Sequence, residues 1–455
     1  EEPLQRFAAV PVADYAKVCG IPEQQIRDAA RRIATASSAC IYEDLGIQMG
    51  VNSTLCSYVN KMLWVLTGNF AKQGTMLSPA MLVPFGQAKA GSTKVSPVVG
   101  APIISGLVPC NSIPDEILTD APGAYKAMIV ESANPVHSLA DTPTWRRAMA
   151  ALEFSVVIDV AMTETARNAT IVLPAASQYE KWEATFFNFD FPDNVFTLRK
   201  PILEPLPGTL SEPEIHYRLC KALGALDDGM ISKLRAAAER NRLEFAAAFY
   251  ELTSGDPTLG RLAPVILYAA LGPTLRDDSA EAAAMWGICH QAAMRDPVSI
   301  KAAGIEGDGP MLGENLFDKI LTTRTGVVFS HSEAVDSWNR VTTIDGKLNV
   351  NIPEMLELFD AVPPSPEAHT SEEFPFVLAA GERRSFTANT IFRDPDWRKK
   401  DRDGALHVHP EDAAAHGLTD GGRAKVITAA GEAEALVELH DGMQPGFISL
   451  PNGFG

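Results

Sequence analysis

The sequence predicts an α/β protein built around a parallel sheet. Three short apolar segments, at 128–130, 155–158 and 169–173, alternate with stretches of helical character. Strands that alternate with helices are typical of a parallel sheet, because a parallel pair needs a long crossover connection. Each apolar segment also ends in polar residues. In open parallel sheets ligands bind beyond the carboxyl ends of the strands, so this edge is a candidate binding site.

The connection after the first strand opens with a turn and continues as a helix. Asn134 precedes Pro135, and a residue before proline is pushed out of the helical region, so the backbone must turn there. Thr142 followed by Pro143 predicts a helix start, because a hydroxyl caps the first turn and proline suits the first helical position. The apolar spacing continues this helix through Met149.

One polar residue after each strand is a candidate ligand contact: Asn134, Asp159 and Ser177. Such residues are also common at ordinary turns, so none of them indicates a ligand by itself. A carboxylate, however, accepts hydrogen bonds through two oxygens and matches the paired N–H donors on the edge of guanine. The sequence therefore predicts a nucleotide site in which Asp159 reads the base.

This region resembles the molybdopterin-dinucleotide oxidoreductase family, the group of formate dehydrogenases, nitrate reductases and dimethyl sulfoxide reductase. The family's pattern is met by Asn134-Pro135, Asp159, Thr163-Glu164-Thr165-Ala166, Ile171-Val172-Leu173-Pro174-Ala175, Glu180, Thr185 and Asn188. The pattern then departs, because residues 189–193 replace the Glu-Gly-Arg that often follows in the family. The segments 65–74, 378–384 and 406–413 extend the likeness, which is weakest between 224 and 373.

The resemblance implies an α/β fold of Rossmann-like parallel-sheet domains with a helical region and an incomplete C-terminal double-psi-type β-barrel. The predicted domains are a Rossmann-like molybdopterin-dinucleotide-binding α/β domain at 1–186, a mostly helical α/β domain with a linker at 187–372, and a truncated dinucleotide-binding β-barrel at 374–455. Within the middle block we predict helices at 232–252 and 281–294. Asp345-Gly346 between apolar segments predicts a hairpin turn.

The resemblance also implies two molybdopterin guanine dinucleotides that hold molybdenum or tungsten. His137 is a candidate donor at the loop end, Gly381 allows close approach of backbone to a ligand, and Arg383 and Arg384 are candidate groove cations. The predicted cofactor-binding residues are Asn134, Pro135, His137, Asp159, Thr163, Ser177, Gly381, Arg383 and Arg384. Glu164 and Glu180 are interpreted as capping and packing groups at loop ends, not as an acid/base pair.

The six cysteines are no closer together than sixteen residues. Iron–sulfur clusters need closely spaced thiolates, so none is predicted here, and no catalytic residue or molybdenum ligand is assigned. The resemblance places the cluster and the metal ligand upstream, so we expect this chain to be the central and C-terminal portion of a longer protein, inactive alone. His407 and His409 share one face of a predicted strand, but no further metal ligand is suggested nearby.

Composition excludes some classes of function. The net charge of −18 argues against non-specific nucleic-acid binding, and no apolar run reaches the eighteen residues of a membrane span. The expected partners are a small-molecule substrate and an iron–sulfur or other electron-transfer protein. A cytoplasmic location is expected, with the periplasm left open because the true amino terminus is not expected to be present.

Three functions remain open. The favoured one is a formate-dehydrogenase-like oxidoreductase with two-electron chemistry at molybdenum or tungsten. The alternative is a non-catalytic electron-transfer or scaffold subunit that resembles the large subunit of respiratory complex I, and a non-redox hydratase is a third possibility. The nucleotide-contacting residues favour the enzyme, because a scaffold has no need of Asn134-Pro135, Asp159 or the turn at 381–384.

Overall fold

The computed structural model describes residues 2–48, 50–84, 93–185, 187–362, 370–382 and 404–451. The helices are α1 (Glu2–Ala8), α2 (Val12–Cys19), α3 (Glu23–Thr35), α4 (Leu45–Gln48), α5 (Ser53–Leu66), α6 (Ile113–Ile117), α7 (Pro135–Ser138), α8 (Thr142–Ala151), α9 (Glu164–Arg167), α10 (Glu212–Ala222), α11 (Asp228–Arg240), α12 (Arg242–Gly255), α13 (Pro257–Arg261), α14 (Ala263–Ala270), α15 (Ala283–Arg295), α16 (Pro297–Ala302), α17 (Pro310–Thr322), α18 (Pro353–Ala361) and α19 (Pro410–Ala415). Short 3-10 helices lie at Cys110–Ser112, Gly272–Thr274, Arg276–Asp278, Ala280–Ala282 and Ala334–Arg340.

The strands alternate with these helices in the first half of the chain and cluster near its end. They are β1 (Ala127–Glu131), β2 (Phe154–Asp159), β3 (Ile171–Pro174), β4 (Glu183–Ala184), β5 (Asp193–Phe196), β6 (Leu198–Arg199), β7 (Val327–His331), β8 (Val377–Glu382), β9 (Ala405–Val408), β10 (Arg423–Thr428), β11 (Gly431–Leu439) and β12 (Phe447–Pro451). No helix in the described ranges is long and apolar enough to cross a bilayer.

Two compact units make up the fold, and neither is continuous in sequence. Unit 1 consists of Glu1–Ala16, Gly20–Gln87 and Pro174–Val362. Unit 2 consists of Lys17–Cys19, Ala88–Leu173 and Pro363–Gly455. The three-domain division expected from the sequence stays a prediction.

The parallel sheet of unit 2 confirms the predicted α/β fold. Its strand order is β1-β2-β3, and β1 runs parallel to β2 in the register from Ala127↔Phe154 to Glu131↔Ile158. Positions 155–158 of β2 are all buried, as expected for a strand covered on both faces. One cluster contains Val157 and Ala166, and another joins Trp145 of α8 to its neighbours on α6 and α7.

Helix α8 begins one residue away from the predicted cap. Its N-cap is Asp141, whose carboxylate accepts a hydrogen bond from the Thr144 backbone amide at 3.2 Å. Asp141 has a φ of 61°, in the left-handed region that aspartate tolerates better than most residues. Thr142 and Pro143 therefore form the first turn of the helix. An aspartate caps at least as well as a threonine, which explains the shift.

The C-terminal sheet of unit 2 has the strand order β10-β11-β9-β12-β8 and curls into a half-barrel. Its pairing is mixed, because β11 is parallel to β9 and β12 is parallel to β8, whereas β10/β11 and β12/β9 are antiparallel. The buried side chains of Leu406, Val408 and Val437 form its core with those of Val426 and Ala413. The strands predicted at 424–427 and 435–439 are confirmed as β10 and β11.

Unit 1 has a helical core in which α15 and α17 approach closely. A Cβ atom on Gly313 of α17 would lie 2.9 Å from the Cα of His290 on α15, so only glycine fits there. The neighbouring Glu314 is buried and accepts hydrogen bonds from Trp286 Nε1 at 2.7 Å and from Arg242 Nε at 2.7 Å. The helices of this core are therefore joined by apolar packing and by a buried polar network.

Two local predictions in unit 1 were wrong. The predicted helix at 232–252 is interrupted at Asn241, which adopts an extended φ of −167° and caps α12 by accepting from the Leu243 amide at 2.7 Å. The asparagine side chain binds a nearby backbone amide and so stabilises a non-helical backbone conformation.

Around Asp345-Gly346 the chain turns, since the Gly346 amide donates to the Thr343 carbonyl, but no strand flanks the turn within 332–362. The flanking residues are mostly exposed and have no sheet to join.

Candidate cofactor-binding site

The loop after β1 is tied to β2 by its backbone. Ser132 has a positive φ of 51°, and its amide donates to the Ile158 carbonyl at 3.1 Å. The chain then turns at Asn134 and enters α7. Pro135 and Val136 at the start of α7 are buried, so the proline shapes the turn from inside the unit.

Asn134 connects this loop to the one after β2. Its side-chain oxygen accepts hydrogen bonds from the hydroxyl of Thr165 at 2.7 Å and from the Thr165 backbone amide at 3.1 Å. Its amide nitrogen donates to Glu164 Oε2 at 2.7 Å. The Thr165 hydroxyl in turn accepts from the Val136 amide at 3.1 Å. The two loops at the carboxyl edge of the sheet are therefore held in a fixed relative position.

Asp159 lies at the carboxyl end of β2 and is half-buried. Its Oδ1 accepts a hydrogen bond from the Ala161 amide at 3.1 Å, and its Oδ2 has no hydrogen-bond partner within the part of the chain that the structure describes. Thr163 is buried, and its hydroxyl caps α9 by accepting from the Ala166 amide at 3.2 Å. Of these two predicted residues, Asp159 is the one with a side-chain oxygen still available to accept a hydrogen bond at the carboxyl edge of the sheet.

His137 is a half-buried residue of α7, and its backbone amide donates to the Asn134 carbonyl at 3.0 Å. It therefore belongs to the same loop as Asn134 and Pro135. The fold places these residues after β1, and Asp159 and Thr163 at and after the end of β2, so both groups lie at the carboxyl edge of the parallel sheet. Thr165 was not among the predicted site residues, although its place in the Thr163-Glu164-Thr165 triplet after β2 is a usable signal.

Ser177 lies in unit 1 and is bound to Glu180. The backbone amide of Ser177 donates to Glu180 Oε2 at 2.7 Å, and the Leu206 amide donates to Glu180 Oε1 at 3.1 Å. Hydrogen bonds from the amide and hydroxyl of Ser177, together with that from Leu206, outweigh the desolvation of the carboxyl and hold the pKa of Glu180 below its usual range. Glu180 therefore fixes the backbone around Ser177.

The remaining predicted residues belong to the C-terminal part of the sequence. Gly381 lies in β8, whereas Arg383 and Arg384 fall outside the described residues. His407 lies in β9 with Nε2 3.3 Å from Glu438 Oε1, but His409 has left the strand and caps α19. The two histidines thus do not share a strand face, and no group of three or more His, Cys, Asp or Glu side chains in the described ranges is placed to hold a metal.

Two parts of the chain match families of known proteins. Residues 47–193 match the molybdopterin oxidoreductase family, and residues 376–455 match the molydopterin dinucleotide binding domain. The first match contains Asn134, Asp159 and Thr165. The chain therefore belongs to the molybdopterin oxidoreductase family, within the superfamily of dimethyl sulfoxide reductase.

Individual relatives are more distant. The chain is 22% identical over 332 residues to the probable oxidoreductase YoaE of Bacillus subtilis, a match that covers 72% of this chain and 39% of that protein. It is 30% identical over 218 residues to the alpha subunit of an F420-dependent formate dehydrogenase from Methanococcus maripaludis, a match that covers 41% of this chain and 30% of that protein. A trimethylamine-N-oxide reductase of Haemophilus influenzae is 24% identical over 338 residues, which cover 72% of this chain and 36% of that protein.

The solved structure of acetylene hydratase from Pelobacter acetylenicus resembles this fold. Its TM-score is 0.63 at 16% sequence identity, and the superposition covers 99% of this chain and 58% of that one. The likeness concerns the fold alone. The chain spans less than half of the length of each of the three curated relatives.

Proposed function

We propose that this chain forms part of a formate-dehydrogenase-like oxidoreductase that binds two molybdopterin guanine dinucleotides with molybdenum or tungsten. The observation that best supports the proposal is the half-buried carboxylate of Asp159, which has an uncommitted oxygen at the carboxyl edge of a parallel sheet. Asp159 lies within the segment that matches the molybdopterin oxidoreductase family. The similarity to a formate dehydrogenase alpha subunit supports formate as the substrate.

The residues at this edge fit a guanine nucleotide. A carboxylate accepts only, and two oxygens side by side complement the ring N–H and amino group of guanine. We assign Asp159 to the base and His137 to a phosphate or the pterin. Gly381, Arg383 and Arg384 are proposed to contact the cofactor from the barrel, where a glycine admits close backbone approach and arginines neutralise phosphate charge.

Asn134, Thr163 and Ser177 are proposed to shape the site through their contacts with the protein. Asn134 fixes the loop that carries His137, Thr163 caps the helix that follows Asp159, and Ser177 is anchored by Glu180. Such support keeps ligand-contacting groups in place before the ligand arrives. When bound, the metal and its pterin ligands would supply the two-electron redox chemistry.

The proposal includes an electron-transfer partner, because electrons taken from a small substrate must leave the metal centre. An iron–sulfur protein or subunit would serve, and any iron–sulfur cluster would belong to sequence outside this chain. We propose that this chain alone has no turnover, since none of its residues is assigned as the ligand of the metal.

The test uses the protein as produced from its native gene. Elemental analysis for molybdenum and tungsten is combined with dye-linked assays against formate, nitrate, thiosulfate, dimethyl sulfoxide and trimethylamine N-oxide. We expect bound metal and formate-dependent dye reduction. Metal with activity only on the other substrates would contradict formate as the substrate. Absence of both metals would favour the non-catalytic scaffold subunit instead.

A further inference from the structure

Unit 1 contains a cavity of about 580 Å³ whose lining includes none of the residues proposed to bind the cofactor. Its walls come from three stretches that are far apart in sequence, within 78–84, 295–299 and 336–342. Its volume lies in the range of pockets that hold small organic molecules.

The wall at 78–82 is held in place by side chains that bind its carbonyl groups. Arg340 Nη1 donates to the Ser78 carbonyl at 2.8 Å, and Asn194 Nδ2 donates to the Ala80 carbonyl at 2.8 Å. Arg295 Nη2 donates to the carbonyls of Met81 at 2.6 Å and Leu82 at 3.0 Å. Four carbonyl groups of one short segment are therefore held by side-chain donors, so contacts within the protein set the shape of this wall.

The two arginines of the cavity differ in their charge partners. Arg340 is fully engaged, because its Nη2 binds Asp296 Oδ2 at 2.9 Å and the hydroxyls of Ser299 and Ser332 at 2.8 and 2.7 Å. Arg295 binds only backbone carbonyls, and no carboxylate of the described chain lies within 4.0 Å of its guanidinium. Arg295 is exposed, and partial desolvation by its neighbours lowers its pKa, with Asp296 as the opposing influence.

The carboxylates of the cavity are already committed. Asp296 pairs with Arg340 and also accepts from the Ser299 amide at 3.1 Å. Asp336 accepts from the Glu333 amide at 2.8 Å through its Oδ2. Neither carboxylate forms an ion pair with Arg295, so its guanidinium is left to pair with a ligand. A guanidinium has five donors in a planar fork, which suits the bidentate binding of a carboxylate.

Apolar residues make up more than half of the remaining lining, beside the polar Ser78, Ser299, Asn339 and Thr342. Pro79, Met81, Pro84, Pro297 and Val298 line the cavity. We propose that this cavity binds a small organic carboxylate, whose charged group pairs with Arg295 and whose apolar body lies against the prolines and Val298. This site is independent of the proposed function, because it requires neither the pterin nor the metal.

Benzoate is the probe of choice, because it combines a carboxylate with an apolar ring. Calorimetric titration of this chain with benzoate should show saturable binding that weakens as salt is raised. Benzyl alcohol supplies the ring without the charge, and inorganic phosphate supplies an anion without the ring. Both should bind at least about tenfold more weakly, since a charge-assisted hydrogen bond contributes roughly 1.5–3 kcal/mol. Equal binding of benzyl alcohol would overturn the assignment of Arg295.

Two sets of variants locate the site. Arg295→Gln should weaken benzoate binding by about tenfold or more, whereas Arg218→Gln, which changes a surface arginine paired with Glu214, should leave it unchanged. Because Arg295 also holds the wall, Val298 provides a second test. Val298 is 73% exposed and lies in the first turn of α16, where an acidic residue is well tolerated.

Val298→Glu should weaken benzoate binding more than Val298→Gln does, because the two side chains have the same size and only the glutamate repels the carboxylate of the ligand. Circular dichroism and thermal unfolding would establish that the variants are folded. Benzoate binding that is undetectable in the folded wild-type chain, or that is the same for the Glu and Gln variants, would contradict the proposal. Neither result depends on the presence of the metal or the pterin, so failure here is distinct from failure of the proposed redox function.

Discussion

Asn134 Oδ1 accepts two hydrogen bonds from Thr165, one from the hydroxyl at 2.7 Å and one from the backbone amide at 3.1 Å. The Thr165 hydroxyl then accepts from the Val136 amide, so this side chain joins the starts of α7 and α9. Thr165 is fully buried. The loops after β1 and β2, the second of which begins at Asp159, are therefore joined by hydrogen bonds that pass through a buried side chain.

Thr165→Val should destabilise unit 2, because the Val136 amide loses its acceptor and Asn134 loses a donor. A buried polar group left without a partner costs about 1–3 kcal/mol. Thermal and urea unfolding measured by calorimetry and circular dichroism check this expectation. Thr165→Ser keeps the hydroxyl and should retain most of the stability. Equal stability of the Val and Ser variants would show that the hydrogen-bond chain contributes nothing.

Gly313→Ala should destabilise the helical core of unit 1. The added Cβ would lie 2.9 Å from the Cα, Cγ and Nδ1 atoms of His290, and a contact with backbone forces α15 and α17 apart. Overpacking of this kind typically costs about 1–3 kcal/mol. Gly255→Ala is the matched control, because nothing outside the adjacent residues and the backbone of its own helix lies within 4 Å of the added Cβ. Thermal unfolding of both variants should show a loss for the first alone, and a Gly313→Ala protein as stable as wild type would refute the close approach.

His331 should titrate above its ordinary pKa. The hydrogen bond from the imidazole to Asp193 raises the pKa of His331, and this outweighs partial desolvation. Nδ1 lies 2.7 Å from Asp193 Oδ1, where β5 pairs with β7. Because the folded-state pKa is raised, the stabilisation is complete below the unfolded-state value near 6.5 and is lost as pH rises through the folded-state value.

NMR titration of the imidazole protons measures this shift directly. Asp193→Asn should bring the pKa of His331 down towards 6.5 and remove the associated pH dependence of stability. His409, which caps α19 in the other unit, provides an internal reference resonance. If the Asn variant leaves the titration of His331 unchanged, the ion pair does not form in solution.

The parallel sheet could be predicted because its signals are local. Apolar runs of strand length, separated by turns and a capped helix, place Asp159 at a strand end without any knowledge of tertiary contacts. The parallel pairing of β1 with β2 is expected from the helical connection between them. The cap at Asp141 was missed by one residue, because Asp141 and Thr142 are both good capping residues and sequence alone does not choose between them.

The contacts that organise the sites could not be predicted in the same way. Asn134 meets Thr165 across thirty-one positions of sequence, and either side chain is also typical of an ordinary turn or cap. Arg295 and Arg340 meet the wall at 78–82 across more than two hundred positions, with no local pattern that relates them. Such pairings depend on how the helices pack, which periodicity does not specify.

The guanine content of the protein produced from its native gene, compared between wild type and Asp159→Ala, tests the central claim most directly. Guanine nucleotide released on acid hydrolysis is quantified by chromatography, with the exposed Asp120→Ala as the control within the same unit. We predict guanine in wild type and in the control, and a marked loss under limiting cofactor in Asp159→Ala, because each charge-assisted hydrogen bond contributes roughly 1.5–3 kcal/mol. Full guanine occupancy in the Asp159→Ala protein, or no guanine in wild type, would contradict the account.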